Sequence, residues 1–290
     1  MGELVLAAKI THVPSIWMDL TREQFRGLRA NAIEGLRTLG QRARERDVET
    51  FLVFDSHWIV NQGFHVNAKA RHEGIFTSHE LPHMLSDMAY AYAGDPELAR
   101  RIAREVEEAG FRAIAHDTPH LACEYGTLTP MHLMNGEGAG KGQPTPAARV
   151  VPVAVNQFAS VDEGRRMGQA VARAIQAGER KVAVLASGSL SHAFWPNDRS
   201  EDGLNEVNGE FNRQVDLRVL ELWQAGRIGE FLAMLPDYAR LCQGECAMID
   251  TAMLFGVLGW GDYQGQGTPV GEYFGSSGTG QCNVEFSLPG

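Results

Sequence analysis

The sequence predicts an α/β fold: one domain with a central, mainly parallel or mixed sheet, helices on its flanks, and an active site at the carboxyl ends of the strands. Three observations carry that expectation. Apolar runs of strand length alternate with amphipathic helical stretches along the whole chain, the pattern of strand–helix units rather than of separate all-α and all-β parts. The 290 residues, 44% hydrophobic, supply one sizeable core, and no shift in composition divides them, so 1–290 reads as a single domain. Histidines recur just beyond the strand-like runs, where ligands bind in open α/β sheets.

Taken in order, Leu4–Ile10 reads as the first strand. Thr21 and Gln24 form a capping box that predicts a helix through Phe25, Leu28, Ala32, Leu36, Leu39 and Ala43, spaced three or four apart. Thr50–Phe54 is the second strand. Pro82 predicts the start of a helix whose apolar face carries Leu85, Met88 and Tyr92. Asp95 as N-cap, Pro96 at the first helical position, the stripe Leu98, Ile102 and Val106, and Gly110 as the stop mark another helix. Phe111–Ala115 is a strand, and Asn135–Pro146 has the composition of a loop. Val150–Val155 precedes a helix opened by Ser160 with Glu163 and closed by Gly178, and Lys181–Ala186 is the next strand. Leu204, Val207, Phe211, Val215, Val219 and Leu222 predict a long amphipathic helix, Cys246–Leu258 a further one, and Val284–Leu288 a last strand.

Charge narrows the function. Lys plus Arg number 26 against 36 Asp plus Glu, a net charge of −10, which repels phosphate backbones and anionic membrane surfaces. Nucleic acid and membrane are therefore not expected partners. No apolar run reaches the ~18 residues of a membrane span, and the N-terminal residues read as a strand rather than a secretory signal. Four cysteines, at 123, 242, 246 and 282, are sparse for this length and read as reduced thiols, so a cytoplasmic protein is expected.

Chemistry collects around four histidines. His12, His57 and His116 follow the first three strands, and His192 lies a few residues beyond Lys181–Ala186. Imidazoles converging with a carboxylate suit a metal enzyme that also moves protons near neutral pH. Carboxylates near apolar segments are Asp55, Glu80, Glu124, Glu245 and Asp250; Glu245 stands out after Gly244 at the start of a helix, where a structural helix-terminal charge is the competing explanation. His79-Glu80-Leu81-Pro82-His83 matches the zinc-protease HExxH pattern, but that motif needs both histidines inside a helix, which Pro82 opposes. Cys242 and Cys246 lack a second pair at zinc-ligand spacing. Gly140-Lys141 lacks the rest of a phosphate-binding loop, and Ala186–Ser191 lacks the nucleophile-elbow spacing.

The segments Leu6–Ser15, Phe54–Trp58, Glu124–Leu128, Ala186–His192 and Ser276–Gln281 together resemble the class III extradiol ring-cleavage dioxygenases, the protocatechuate 4,5-dioxygenase superfamily, over nearly the whole chain and in the family's order. The resemblance implies Fe(II) held by His12, His57 and Glu245, with His192 as the acid/base histidine. Two imidazoles and one carboxylate would leave open positions on the metal for a catechol and dioxygen; the same ligands accept Mn(II). Several members carry a second histidine where this chain has Tyr125, so Tyr125, His116 and His120 are the candidates for a second proton donor. The implied reaction is oxidative opening of a catecholic aromatic acid, 3,4-dihydroxyphenylacetate, to 5-carboxymethyl-2-hydroxymuconate semialdehyde by a homo-oligomer. The alternatives are cleavage of another catechol or an aminophenol, a metal-dependent hydrolase, or a binding protein on the same fold.

Overall fold

The computed structural model describes residues 1–136, 148–199 and 203–288. The chain runs β1 (Glu3–Ile10), α1 (Pro14–Thr21), α2 (Ala30–Glu45), β2 (Thr50–Val60), β3 (Phe64–Asn67), β4 (Arg71–Phe76), β5 (Met88–Ala93), α3 (Pro96–Glu108), β6 (Ala113–His116), α4 (Tyr125–Met134) and β7 (Arg149–Asn156). It continues α5 (Val161–Gln176), β8 (Lys181–Ser187), α6 (Glu210–Gln224), α7 (Ile228–Leu241), α8 (Ile249–Leu258), β9 (Gly267–Pro269), β10 (Phe274–Ser276), β11 (Thr279–Gln281) and β12 (Val284–Phe286).

Eight strands form one sheet in the order β6-β3-β7-β2-β8-β1-β12-β9. Its middle, β7-β2-β8-β1, is parallel, and antiparallel pairing of β1 with β12 and of β12 with β9 makes the whole sheet mixed. Strand side chains alternate between two apolar layers. Leu6, Ala8 and Ile10 of β1 and Ala183 and Leu185 of β8 enter the layer holding Ile33, Leu36 and Leu39 of α2 and Leu128 and Met131 of α4. Ala7, Val182, Val184 and Ala186 enter the opposite layer with Ile102 of α3, Met167 and Val171 of α5, Trp223, Phe231 and Phe255. Strands covered on both faces read as unbroken apolar runs, which is the pattern these show in sequence.

Two helix starts agree with the sequence in atomic detail. The Asp95 carboxylate accepts from the Leu98 N–H, and Ser160 with Glu163 forms a reciprocal capping box. Other expectations are corrected. Thr21 is the last residue of α1, its hydroxyl donating back to the Trp17 carbonyl at 2.6 Å, and the turn after it breaks at Gly27 (φ +88°), so α2 begins only at Ala30. Pro82 starts no helix: Asp87 takes a positive φ of 55°, and Met88–Ala93 pairs as β5 with β4, because Met88, Tyr90 and Tyr92 also fit the period of a strand. Leu204 and Val207 precede α6, since the Leu204 and Glu206 carbonyls accept from Ser277 and Gly278, and Gly209 (φ +93°) turns the chain into the helix. Phe211 is exposed. The Cys246–Leu258 helix begins at Ile249, after Met248 in the left-handed region. Of the loop expected at Asn135–Pro146, residues 137–147 lie outside the described residues.

Candidate metal centre

His12 lies two residues past the end of β1, whose last residue, Ile10, pairs with Ser187 at the end of the parallel strand β8. The turn is fixed from its far side: Thr11 donates its N–H to Asn283 Oδ1 (3.0 Å) and its hydroxyl to Gln281 Oε1 (2.7 Å). His12 is buried, and its Nδ1 stands 2.9 Å from Ser187 Oγ, whose own proton goes to the Gly126 carbonyl at 2.5 Å. A hydroxyl has one proton to give, so Ser187 accepts from Nδ1–H, and in the neutral ring the lone pair then sits on His12 Nε2.

His57 is carried by an irregularity. The β2–β7 ladder pairs Asp55 with Ala154 and resumes at Ile59 with Val155, so Ser56, His57 and Trp58 leave the register. This strand therefore extends past the Phe54 end expected from sequence. Asp55, fully buried, organises the excursion by accepting from the backbone N–H of His57 (2.9 Å) and from Thr127 Oγ1 at the start of α4 (2.6 Å). Burial holds the Asp55 carboxyl above its ordinary value, only partly offset by the Thr127 bond and the nearby His12.

Glu245 opens a short, strained turn before α8. Cys246, Ala247 and Met248 all carry positive φ (45°, 54° and 58°), conformations that cost about 1–3 kcal/mol each and persist where the surroundings over-determine them. Here the surroundings are the Ser56 hydroxyl, which donates to Oε1, and the Ser189 N–H, which donates to Oε2 at 2.6 Å. Burial alone would raise this carboxyl; the imidazoles of His12, His192 and His57 outweigh it and hold Glu245 well below the usual carboxylate range.

These elements bring His12, His57 and Glu245 together, with one ligand atom from each inside a 4.8 Å span. Glu245 Oε1 is 3.4 Å from His12 Nε2 and 3.5 Å from His57 Nε2, separations suited to neighbours sharing one ion at roughly 2.1 Å. Burial, reinforced by His12, takes the His57 imidazole down to about 3, so it is neutral and able to ligate. The donor set thus fits a divalent ion.

His192 approaches the other carboxylate oxygen, with Nδ1 3.4 Å from Glu245 Oε2, and its ring packs edge-on against Phe194. Its backbone is pinned by the Cys242 carbonyl and through Ser191, whose N–H and hydroxyl both donate to the buried Asp216. Burial lowers the His192 imidazole, partly offset by Glu245. Tyr125 lies tilted over His57 with ring centroids 3.7 Å apart, and its hydroxyl donates to Glu80 Oε1 at 2.9 Å. Burial and the carboxylates of Glu80 and Glu245 push its phenol upward, so it stays protonated. His116 turns elsewhere, its Nε2 3.0 Å from His65 Nδ1, and His120 is exposed on the turn that follows β6. Of the remaining carboxylates, Glu124 precedes α4 and Asp250 pairs with Lys9.

Sequence reasoning did not single out Ser187, Ser189 or Ser56 as supports for these side chains. The signal was available for the first two, which stand at the carboxyl end of β8 where site residues collect. Asp216 carried no such signal, being one polar residue in an otherwise ordinary amphipathic helix.

Comparisons agree with this architecture. The family model described as the catalytic LigB subunit of aromatic ring-opening dioxygenase matches residues 6–287. A 3,4-dihydroxyphenylacetate 2,3-dioxygenase of Escherichia coli is 45% identical over 92% of this chain and 94% of its own. The 2-aminophenol 1,6-dioxygenase beta subunit of a Pseudomonas species is 25% identical over 99% of this chain and 95% of its own. The crystal structure of an uncharacterized protein from Escherichia coli K12 has the same fold, with a TM-score of 0.65 at 16% identity, covering 97% of this chain and 99% of that one. A mixed sheet with this site at its strand ends, and a family match over nearly its full length, make the chain a member of the LigB family of extradiol, aromatic ring-opening dioxygenases, and hence an oxidoreductase.

Proposed function

We propose that His12, His57 and Glu245 hold Fe(II), and that the enzyme, with 1–290 as one catalytic domain, opens the ring of 3,4-dihydroxyphenylacetate with dioxygen to give 5-carboxymethyl-2-hydroxymuconate semialdehyde. The observation that carries the reading is one buried carboxylate shared by three imidazoles: His12 and His57 converge on Glu245 Oε1, while His192 meets Oε2. The E. coli relative at 45% identity supports the substrate.

Bound Fe(II) would gather the two catechol oxygens and dioxygen in one coordination sphere and carry electrons between them; Mn(II) suits the same donors. The protein supplies proton control. His192, buried and therefore neutral near pH 7, acts as general base for a catechol hydroxyl and returns that proton later as an acid. Tyr125 keeps its proton, which it gives to Glu80, and its oxygen beside the His57 ring can accept a hydrogen bond from a substrate hydroxyl. Ser187 keeps His12 in the tautomer whose Nε2 can bind the ion. We further infer a homo-oligomer in the cytoplasm: symmetric assembly of identical chains is the usual form of soluble oligomers, and four free cysteines fit a reducing compartment.

The test is oxygen uptake by Fe(II)-loaded protein, with the visible spectrum recorded in the same cuvette. Stoichiometric oxygen loss with a yellow, pH-sensitive product from 3,4-dihydroxyphenylacetate supports the reading. Uptake with 2-aminophenol alone would move the substrate to the class named by the Pseudomonas relative. No uptake with any ring substrate, iron being bound, would overturn it.

A further inference from the structure

The His79–His83 segment is no zinc helix, yet its glutamate reaches the metal centre. Residues 77–87 connect β4 to β5 as a compact turn: the Ser78 N–H donates to the Leu85 carbonyl (3.0 Å), the Leu81 N–H to Ser78 Oγ (3.1 Å), and Trp17 Nε1 of α1 to the Ser86 carbonyl (3.0 Å). Ser78 and Leu85 are buried, so the turn is anchored at both flanks of Glu80. Glu80 itself is 60% exposed at the side chain and bends inward, where one oxygen, Oε1, takes two neighbours. The Tyr125 hydroxyl donates to it at 2.9 Å, and His57 Nδ1 stands 3.5 Å away. Tyr125 is held in turn by its ring contact with His57 and by Phe76, at the end of β4, 6.1 Å between centroids.

We propose that Glu80 is a positioning residue: through Oε1 it orients the His57 imidazole and the Tyr125 phenol together, and thereby sets how tightly His12, His57 and Glu245 bind a divalent metal. This rests on the reading above that those three residues hold the ion. The physical reason is that a ligating imidazole with a carboxylate facing its second nitrogen keeps the correct tautomer and ring angle and becomes a better donor. His12 has a hydroxyl in that role and His57 has Glu80, so the two histidines are oriented from different parts of the fold. One further consequence is directional. While Tyr125 gives its only proton to Glu80, its oxygen faces the site as an acceptor.

The experiment titrates metal-free protein with Mn(II), followed by electron paramagnetic resonance, in the wild type and in Glu80→Ala, Glu80→Gln, Tyr125→Phe and His57→Ala. Losing such a carboxylate typically weakens metal binding ~10–100-fold, the effect expected for Glu80→Ala. Glu80→Gln keeps an acceptor without the charge and should fall between. Tyr125→Phe should weaken binding less than Glu80→Ala, and the double variant Glu80→Ala/Tyr125→Phe should bind no more weakly than Glu80→Ala alone, because both act through one oxygen. The urea midpoint of the metal-free protein should change little in Glu80→Gln, which keeps an acceptor for the Tyr125 hydroxyl, and this separates positioning from a general structural loss. Mn(II) affinity within twofold of wild type in Glu80→Ala, with binding lost in His57→Ala, overturns this proposal and leaves the metal site intact. Equal binding by wild type and His57→Ala overturns the metal site and this proposal with it.

Discussion

Ser187 Oγ lies 2.9 Å from His12 Nδ1 and spends its own proton on the Gly126 carbonyl, so one serine ties the first residue of the site to the start of α4. Replacing it removes the acceptor that keeps Nδ1 protonated. Ser187→Ala should weaken divalent-metal binding by about 10–100-fold, as losses of outer-shell partners do, with a stability loss of only about 1–3 kcal/mol from the Gly126 carbonyl left unpaired. Metal titration alongside urea unfolding checks both; unchanged affinity would refute the tautomer argument.

The roles proposed for His12, His57 and Glu245 and for His192 separate in a metal assay. His12→Ala, His57→Ala and Glu245→Ala should lower bound iron and turnover together, whereas His192→Ala should retain iron and lose about 10²–10⁴-fold in rate, the typical contribution of a positioned acid/base group. Iron content by metal analysis and oxygen consumption are the two readouts. A Glu245→Ala protein with full iron and full rate would remove that residue from the set.

Much of this site was legible because the parallel strands β1, β2 and β8 are buried on both faces and so appear as continuous apolar runs, with His12, His57 and His192 past or near their ends. What periodicity missed lies where turns decide. Met88, Tyr90 and Tyr92 fit a strand as well as a helix, and only the positive φ of Asp87 and the pairing with β4 select the hairpin that delivers Glu80. Thr21 has the residue type of a cap, yet its hydroxyl bonds backward into α1. The out-of-register stretch Ser56–Trp58 depends on Asp55 collecting local donors, the His57 and Trp58 N–H groups, together with Thr127 of α4, and that last, long-range partner is not encoded in local spacing.

Stability should fall on mild acidification through His72. This histidine is buried, Nε2 stands 3.0 Å from the Val150 carbonyl and so donates to it, and Nδ1 is buried without a hydrogen-bond partner among the described residues. Burial takes the imidazole from 6.5 to about 4. Above the unfolded value both states are neutral and the full stability is present; between there and the folded value only the unfolded chain binds the proton, so stability drops as pH drops. From pH 7 to pH 5 the wild type should lose roughly 2 kcal/mol more than His72→Gln, which does not titrate and can still donate to Val150. Urea unfolding at the two pH values measures the difference, and parallel slopes would contradict it.

Helices α5 and α8 pack through glycines on the layer behind the sheet. A Cβ on Gly168 would stand 2.0 Å from the Met253 carbonyl oxygen and 2.8 Å from the Gly256 Cα, both backbone atoms that cannot rotate away. Gly168→Ala must therefore move a helix, and the expected loss is about 1–3 kcal/mol despite the better helix propensity of alanine. Because α8 follows directly on the Glu245 turn, metal affinity should weaken in the same variant. An unchanged denaturation midpoint would show that the helices separate without cost.

Lys9 and Asp250 form an ion pair with no exposure on either side chain, directly beneath Gly188, where a Cβ would meet Lys9 Nζ at 2.9 Å and the Asp250 carboxylate at 2.7 Å. Two opposite charges taken from water cost about as much as their attraction returns, so the pair as a whole is a weak source of stability, while either partner alone is a buried charge without compensation. Lys9→Met should therefore cost about 3–5 kcal/mol, and Lys9→Met/Asp250→Leu should recover most of that loss. Urea unfolding of metal-free protein separates the two arms. If the double variant were as unstable as the single, the pair would instead be needed for packing at the end of β1, and the strand that presents His12 would depend on the charge itself.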